Sequence, residues 1–226
     1  MTSLIKFDAV GLSYHSARNR NSAERPWIFQ DLNFELMSGE TLGVIGRNGA
    51  GKSSLMRLMS GLIAPDAGSI IRNTDSILLL SIQLGFQPHL NGRENAILSG
   101  ILLGMRRHEV MAAMQEIIDF AELGEQIDDP VRTYSTGMRG RLGFAVACQA
   151  RPDILLIDEA MSVGDRDFRQ KSRAYLLERI KSDQTAVIVS HDERLIATEC
   201  NRVIWLADGG IKACGEPDEV LEQYRR

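Results

Sequence analysis

Lys52 and Ser53 close an eight-residue run, GRNGAGKS, that begins at Gly46 and has the spacing G-x-x-x-x-G-K-S. Its glycines let the backbone wrap closely enough for successive N–H groups to point at phosphate oxygens, and the helix that follows adds its positive dipole end. In this pattern the lysine meets the β- and γ-phosphates and the serine hydroxyl ligates Mg²⁺. The candidate phosphate-binding residues are therefore Gly46, Arg47, Asn48, Gly49, Ala50, Gly51, Lys52, Ser53 and Ser54.

Such a cradle needs carboxylates for the metal and for an attacking water. DILLIDEA, residues 153 to 160, places Asp158 and Glu159 at the end of four apolar residues that read as a buried strand. Ligands of open α/β sheets bind at that end of a strand. Asp158 is expected to hold Mg²⁺ and Glu159 to polarise the nucleophilic water. Two solvated acids ending a strand are the plain alternative, and the preceding cradle weighs against it. His191, in AVIVSHD, likewise follows an apolar strand. A lone histidine is more often structural, but this placement suits a hydrogen bond to a γ-phosphate or to the attacking water.

YSTGM, residues 134 to 138, carries no charge and no metal ligand. Alone it reads as a helix capped by Ser135. Ser135 and the backbone around Gly137 at a helix start also make a second anion site.

The elements that must position these residues alternate. Apolar runs at 4–10, 42–46, 153–158, 186–190 and 202–208 suit strands covered on both faces, and helical patterns fall at 51–62, 108–123, 167–182 and 217–226. The expected fold is α/β, with a largely parallel P-loop NTPase core. From about 84 to 150 the strand signal disappears, which predicts a helical subdomain inserted into a core formed by residues 1–83 and 151–226. Residues 15–26 read as a polar loop between two early strands.

The chain has 226 residues, 44% hydrophobic and 25% charged, enough for one substantial core. A net charge of -4 disfavours nucleic acid as a partner. Cys148, Cys200 and Cys214 are few, spread out and odd in number, which fits a reduced compartment. No signal peptide is evident, and apolar runs such as 96–105 are too short to span a bilayer, so the chain is expected to be soluble by itself.

The cradle, YSTGM, the strand with Asp158 and Glu159, SVGD at 162–165 and His191 occur in an order that resembles the nucleotide-binding subunits of ABC transporters, over essentially the whole chain. The resemblance implies ATP and Mg²⁺ as ligands, an antiparallel β subdomain near the N-terminus, and ATP hydrolysis. It implies that Ser135, Thr136, Gly137 and Met138 form the signature motif, which contacts ATP bound to a second copy in a head-to-tail homodimer. Asp165 matches the D-loop that couples the two sites. Tyr14 matches the aromatic that stacks on adenine, although a tyrosine after a first strand is as often packing. Gln83 lies near the family's magnesium-contacting glutamine, one residue out of register counted back from Pro88, and Ser81 stands where polymer exporters often have a glutamate.

Tyrosine opening the signature, methionine ending it, and GFQPHLNGREN at 85–95 are similar to the ATPases that export O-antigen, capsule or teichoic-acid polymers. This implies a polytopic membrane permease partner, with the glycan handled mainly by that partner. It also implies a peripheral location on the cytoplasmic side of the bacterial inner membrane. The segment from Arg93 and Glu94 to Leu103 is where a permease would dock, unless its apolar residues serve subdomain packing. Because the sequence ends at Arg226, a carbohydrate-binding domain after it is not expected. Transport of another cargo, such as a lipid, lipoprotein or small solute, and a soluble ABC protein without a transport role are the alternative functions.

Overall fold

The computed structural model describes residues 2–13, 26–80, 85–158 and 165–226. The chain divides into two compact units, one formed by Met1–Leu79, Asp153–Glu159 and Arg179–Arg226, the other by Leu80–Pro152 and Ala160–Glu178.

In the first unit, β1 (Ser3–Ser13), β2 (Trp27–Met37) and β4 (Ala67–Arg72) form an antiparallel sheet in the order β2-β1-β4. The second sheet has the order β5-β6-β7-β3-β8-β9. Its strands are β3 (Thr41–Ile45), β5 (Ile77–Leu80), β6 (Ile154–Ile157), β7 (Thr185–Val189), β8 (Arg202–Ala207) and β9 (Gly210–Gly215). The pairs β6·β7, β7·β3 and β3·β8 are parallel, and β8·β9 is an antiparallel hairpin. Every residue of β3, β6 and β7 is buried, which explains why these strands read as unbroken apolar runs rather than alternating ones. The hairpin turns at Asp208 and Gly209, both with positive φ (51° and 79°), as a two-residue connection matched to strand twist requires.

Helix α1 (Lys52–Met59) packs Leu55, Met56, Leu58 and Met59, one helical face, into a core shared with Ile5, Phe7 and Leu36 of the first sheet and Val44, Leu156 and Val187 of the second. Within that core Phe7 and Phe34 stack with ring centroids 4.4 Å apart. Arg202 Nε donates to Glu40 Oε1 at 2.7 Å, tying β8 to the turn before β3. The unit also contains α7 (Glu193–Glu199), capped by Asp192, and α8 (Pro217–Arg225). The segments 27–37, 67–72, 77–80 and 210–215 are strands beyond the five apolar runs legible in the sequence. In β2 and β4 exposed and half-buried positions interrupt the apolar ones.

The second unit holds α2 (Gly92–Leu102), α3 (Arg107–Ala112), α4 (Met114–Ala121), α5 (Thr136–Gln149) and the part of α6 (Arg166–Lys181) up to Glu178. One helix was expected over 108–123, and the structure breaks it at Ala113. The hydrogen-bond ladder still runs through that residue, with Ala113 N donating to Glu109 O and Ile117 N to Ala113 O, each at 3.0 Å. The break is confined to one residue, Ala113, with φ -84° and ψ 0°. Residues 160–178 group with the helical unit rather than with the strands because α6 contributes to its aromatic core: Phe168 lies edge-on to Phe120 (5.7 Å) and Phe144 (5.9 Å), and Tyr175 edge-on to Phe120 (5.4 Å). Tyr175 also donates to Cys148 O at 2.9 Å.

Among the described residues no helix is long and apolar enough to cross a membrane. Among the described residues there is no disulfide, and Cys148 and Cys200 are buried.

Phe168 is 1% exposed at the centre of that aromatic group. Phe168→Ala is expected to lower unfolding stability by about 3–5 kcal/mol, read as a shift of the urea midpoint of the full chain.

Candidate functional site

Three neighbouring parallel strands end at one edge of the six-stranded sheet. Val44 of β3 lies opposite Val189 of β7, and Ile157 of β6 opposite Ile188. The loop from Gly46, the side chain of Asp158 and the segment carrying His191 thus leave the sheet at the same level. A cleft of about 790 Å³ opens there, lined by residues that include Asn48 to Ser54, Asp158, Trp27, Ile28, Asp208 and Gly209. Its size falls within the range of small-molecule sites.

Lys52 is 8% exposed, and its Nζ donates to Gly46 O at 2.8 Å and to Arg47 O at 3.2 Å. The ammonium is thereby held inside the curl of its own loop. Ser53 Oγ donates to Asp158 Oδ2 at 3.2 Å, which brings a hydroxyl from the helix start beside a carboxylate from the end of β6. Two hard oxygens side by side suit Mg²⁺, which takes oxygen ligands. Helix α1 begins after Gly51 with no side-chain cap and no acid in its first turn. Its first amides have no partner within the helix, so they are free to bind an anion. The lysine, the oxygen pair and the uncapped amides together fit a magnesium-bound polyphosphate.

The glycines of this loop have separate reasons. All three have positive φ: 155° at Gly46, 85° at Gly49 and 93° at Gly51. A Cβ on Gly46 would sit 2.6 Å from Leu206 O of β8, and one on Gly51 would overlap the Phe29 ring. At Gly49 a Cβ would meet nothing within 4 Å among the described residues. Packing thus requires Gly46 and Gly51, whereas Gly49 is shaped by backbone conformation alone. Arg47, Asn48 and Ser53 are exposed, while Ala50 and Ser54 are half-buried.

His191 is exposed and lies two residues past β7. Just beyond it Asp192 accepts from Arg194 N (3.1 Å) and Leu195 N (3.2 Å), which fixes where α7 begins. Tyr14, Gln83 and Glu159 lie outside the described residues, as does the SVG of SVGD.

Trp27 and Asp208 are cleft residues that the sequence did not single out. Trp27 opens β2 with 44% of its surface exposed, and its indole lies over Gly11, where a Cβ would come within 2.8 Å of the ring. Asp208 lines the cleft from the β8–β9 turn. A large aromatic directly after a polar loop, and an Asp-Gly pair between two β-rich runs, were the available signals.

Ser135, Thr136, Gly137, Met138 and Asp165 belong to the second unit. Ser135 caps α5, its Oγ accepting from Met138 N at 3.1 Å. Ser135 and Thr136 are exposed, and Gly137 and Met138 half-buried. Among the described residues a Cβ on Gly137 would meet Ser135 Oγ alone, at 3.8 Å, so they leave room for a side chain there. Asp165 Oδ1 accepts from Phe168 N at 3.0 Å, and Arg141 Nη1 lies 3.9 Å from Asp165 Oδ2. The Phe168 amide, aided by Arg141, holds the Asp165 carboxyl below the usual carboxylate range.

Comparison with known proteins matches residues 29–162 to the ABC transporter family. The teichoic acids export ATP-binding protein TagH of Lactococcus lactis subsp. lactis is 44% identical over 88% of the chain and 43% of its own length. The O-antigen export system ATP-binding protein RfbB of Myxococcus xanthus is 45% identical over 92% of the chain and 48% of its length, and RfbB of Klebsiella pneumoniae 42% identical over 87% and 80%. The chain thus spans less than half the length of the first two relatives. Among solved structures, an ATP-binding subunit of an ABC transporter superposes with a TM-score of 0.78 at 20% identity, covering 99% of this chain and 94% of that one. The dimeric post-hydrolysis form of the cassette MJ0796, bound to ADP and Pi, gives 0.74 at 23%, covering 94% and 98%. Those two likenesses establish the fold, a P-loop NTPase core of the ATP-binding cassette type. The family match and the relatives above 40% identity establish more: the chain belongs to the ABC transporter family.

Proposed function

We propose that the chain is the ATP-hydrolysing subunit of an exporter of lipid-linked polysaccharide, working as a head-to-tail pair with a second copy. In this reading it is held to the cytoplasmic face of a bacterial inner membrane by a polytopic permease, which handles the glycan. The observation that carries the reading is the placement of Lys52 Nζ, the Ser53–Asp158 oxygen pair and the uncapped start of α1 around one cleft. The names of the relatives, which concern O-antigen and teichoic acids export, support the cargo class.

In this reading the amides from Gly46 to Ser54 and the Lys52 ammonium bind the β- and γ-phosphates. Ser53 and Asp158, with Gln83, hold Mg²⁺, which when bound neutralises charge on the phosphate oxygens. Glu159 orients the attacking water and takes its proton, and His191 donates a hydrogen bond to the γ-phosphate side. Tyr14 and the exposed indole of Trp27 offer the base aromatic faces. Ser135 to Met138 of the second copy complete the anion site, and Asp165 couples the two sites. Gly137 supports this role: the fold does not need its missing side chain, so the open backbone at the start of α5 suits an approaching phosphate.

Three outcomes test the reading. Lys52→Ala is expected to weaken ATP binding in an equilibrium titration and to abolish turnover. Glu159→Gln is expected to retain ATP affinity while lowering kcat by about 10²–10⁴-fold, the usual share of a general base, and to accumulate a nucleotide-bound dimer on size exclusion. Gly137→Glu is expected to keep the parental melting temperature and ATP affinity yet lose hydrolysis. Parental turnover in that variant would remove the signature from the site.

A further inference from the structure

Tyr134, the first residue of YSTGM, points away from solvent: it is 4% exposed and packs in the core of the second unit with Ile127, Val131 and Leu142. Its hydroxyl donates to Gln126 O at 2.5 Å, within the 3-10 turn Gly124–Asp128. The same oxygen rests on Gly92, the first residue of α2. A Cβ there would overlap Tyr134 Oη and come within 2.8 Å of Ile127 O and Cδ1. Gly92 has no positive φ, so the phenol and the Ile127 turn, not backbone conformation, exclude a side chain.

The chain just before Tyr134 is pinned to the loop that enters the helical unit. Val131 N donates to Leu90 O and Arg132 N to Pro88 O, both at 2.9 Å, and Asn91 bridges Pro130. That loop is itself sewn to α2 by Asn95, which is fully buried. Its Nδ2 donates to Gln87 O, Leu90 O and Asn91 O, and its Oδ1 accepts from Gln87 N at 2.7 Å. Residues 87–91 and the 130–133 turn are thus joined in one hydrogen-bonded series that reaches the residue before Ser135, where Tyr134 N donates to Val131 O at 3.0 Å. Burial, with the charges of Asp129 and Asp128, pushes the Tyr134 phenol up to about 12, so it remains a neutral donor throughout the physiological range.

We propose that Tyr134 is a positioning residue for ATP hydrolysis: its phenol, seated on Gly92 and bonded to the Gln126 carbonyl, fixes the turn that presents Ser135 and Gly137. The role rests on the signature reading given above. A leucine could fill the same apolar space but would take the phenol's hydrogen bond from Gln126 O, leaving it the Asp129 amide at 3.1 Å, and would remove the polar atom that sits nearest to Gly92. The hydroxyl acts on orientation of the turn, and the ring on stability of the unit. Small misplacement of a binding group costs rate far more than it costs fold.

The test uses the full chain and separates these two contributions. Tyr134→Phe keeps the ring and removes only the hydroxyl. The expected result is a fall in kcat of about tenfold with ATP affinity within about twofold of the parent, together with about tenfold faster amide exchange confined to residues 124–127 and 135–138. Gly92→Ala, which pushes on the phenol from α2, is expected to lower kcat in the same way. Combining it with Tyr134→Phe should give less than the product of the two single effects, because both break one contact. Parental kcat in Tyr134→Phe, an exchange increase spread evenly over the helical unit, or independent multiplication of the two effects would each overturn the proposal. Gly137→Glu run in parallel distinguishes the failures. If it hydrolyses normally, the signature reading is lost; if it is inactive while Tyr134→Phe is unimpaired, only the positioning role is lost.

Discussion

Parallel hydrogen bonding among β6, β7 and β3 is the constraint on which the arrangement of the cleft depends. Asp158 and Lys52 lie more than a hundred residues apart and meet only because Ile157, Ile188, Val189 and Val44 are held in adjacent register. A slip of one residue in such a strand would turn its side chains to the opposite face. Here every position of the three strands is buried, so no alternation of apolar and exposed side chains marks the register from within. Register must be fixed at the ends, and polar anchors are found there. Glu40 Oε2 accepts from Met37 N, Thr41 N donates to Asn201 Oδ1, and Thr185 Oγ1 accepts from Gly39 N.

This division of labour explains what could be read in advance. Doubly buried strands are nearly continuous apolar runs, so β3, β6 and β7 were visible, as were the apolar stretches of β1 and β8, and the glycine-rich loop followed from its own spacing. The strands β2, β4, β5 and β9 were less visible. β2 and β4 mix apolar with exposed positions, β5 has four residues, and in β9 a lysine and two glycines interrupt the pattern. The aromatic core of the helical unit was hidden for a different reason. Phe120, Phe144, Phe168 and Tyr175 are scattered over 55 positions, and nothing local tells a helix which distant ring it will meet. Trp27 was missed because an exposed indole is conspicuous only once its neighbours are known. Tyr14, Gln83 and Glu159 lie outside the described residues, so their roles rest on the sequence pattern.

Glycine illustrates how one residue type can answer several physical demands. Gly46 and Gly51 yield to a carbonyl and a phenyl ring, Gly49 to a left-handed backbone, Gly92 to a phenol, and Gly137 to none of these among the described residues. Only the last has ordinary backbone geometry and open space together with a place at the start of a helix. Sequence spacing treats all of them alike as loop formers, whereas the atoms around each one separate packing requirements from openings toward something outside.

The bare N-terminus of α1 has an energetic consequence. Asn91, Ser135 and Asp192 each supply an oxygen to the first amides of their own helices, a contribution of about 1 kcal/mol per cap. Gly51 supplies none. An anion arriving there would serve α1 as those side chains serve theirs, so tightening of the first turn and ligand affinity would be two readings of one free energy. Nucleotide concentration would then raise the melting temperature by mass action, with local protection concentrated on the amides of Lys52 to Ser54.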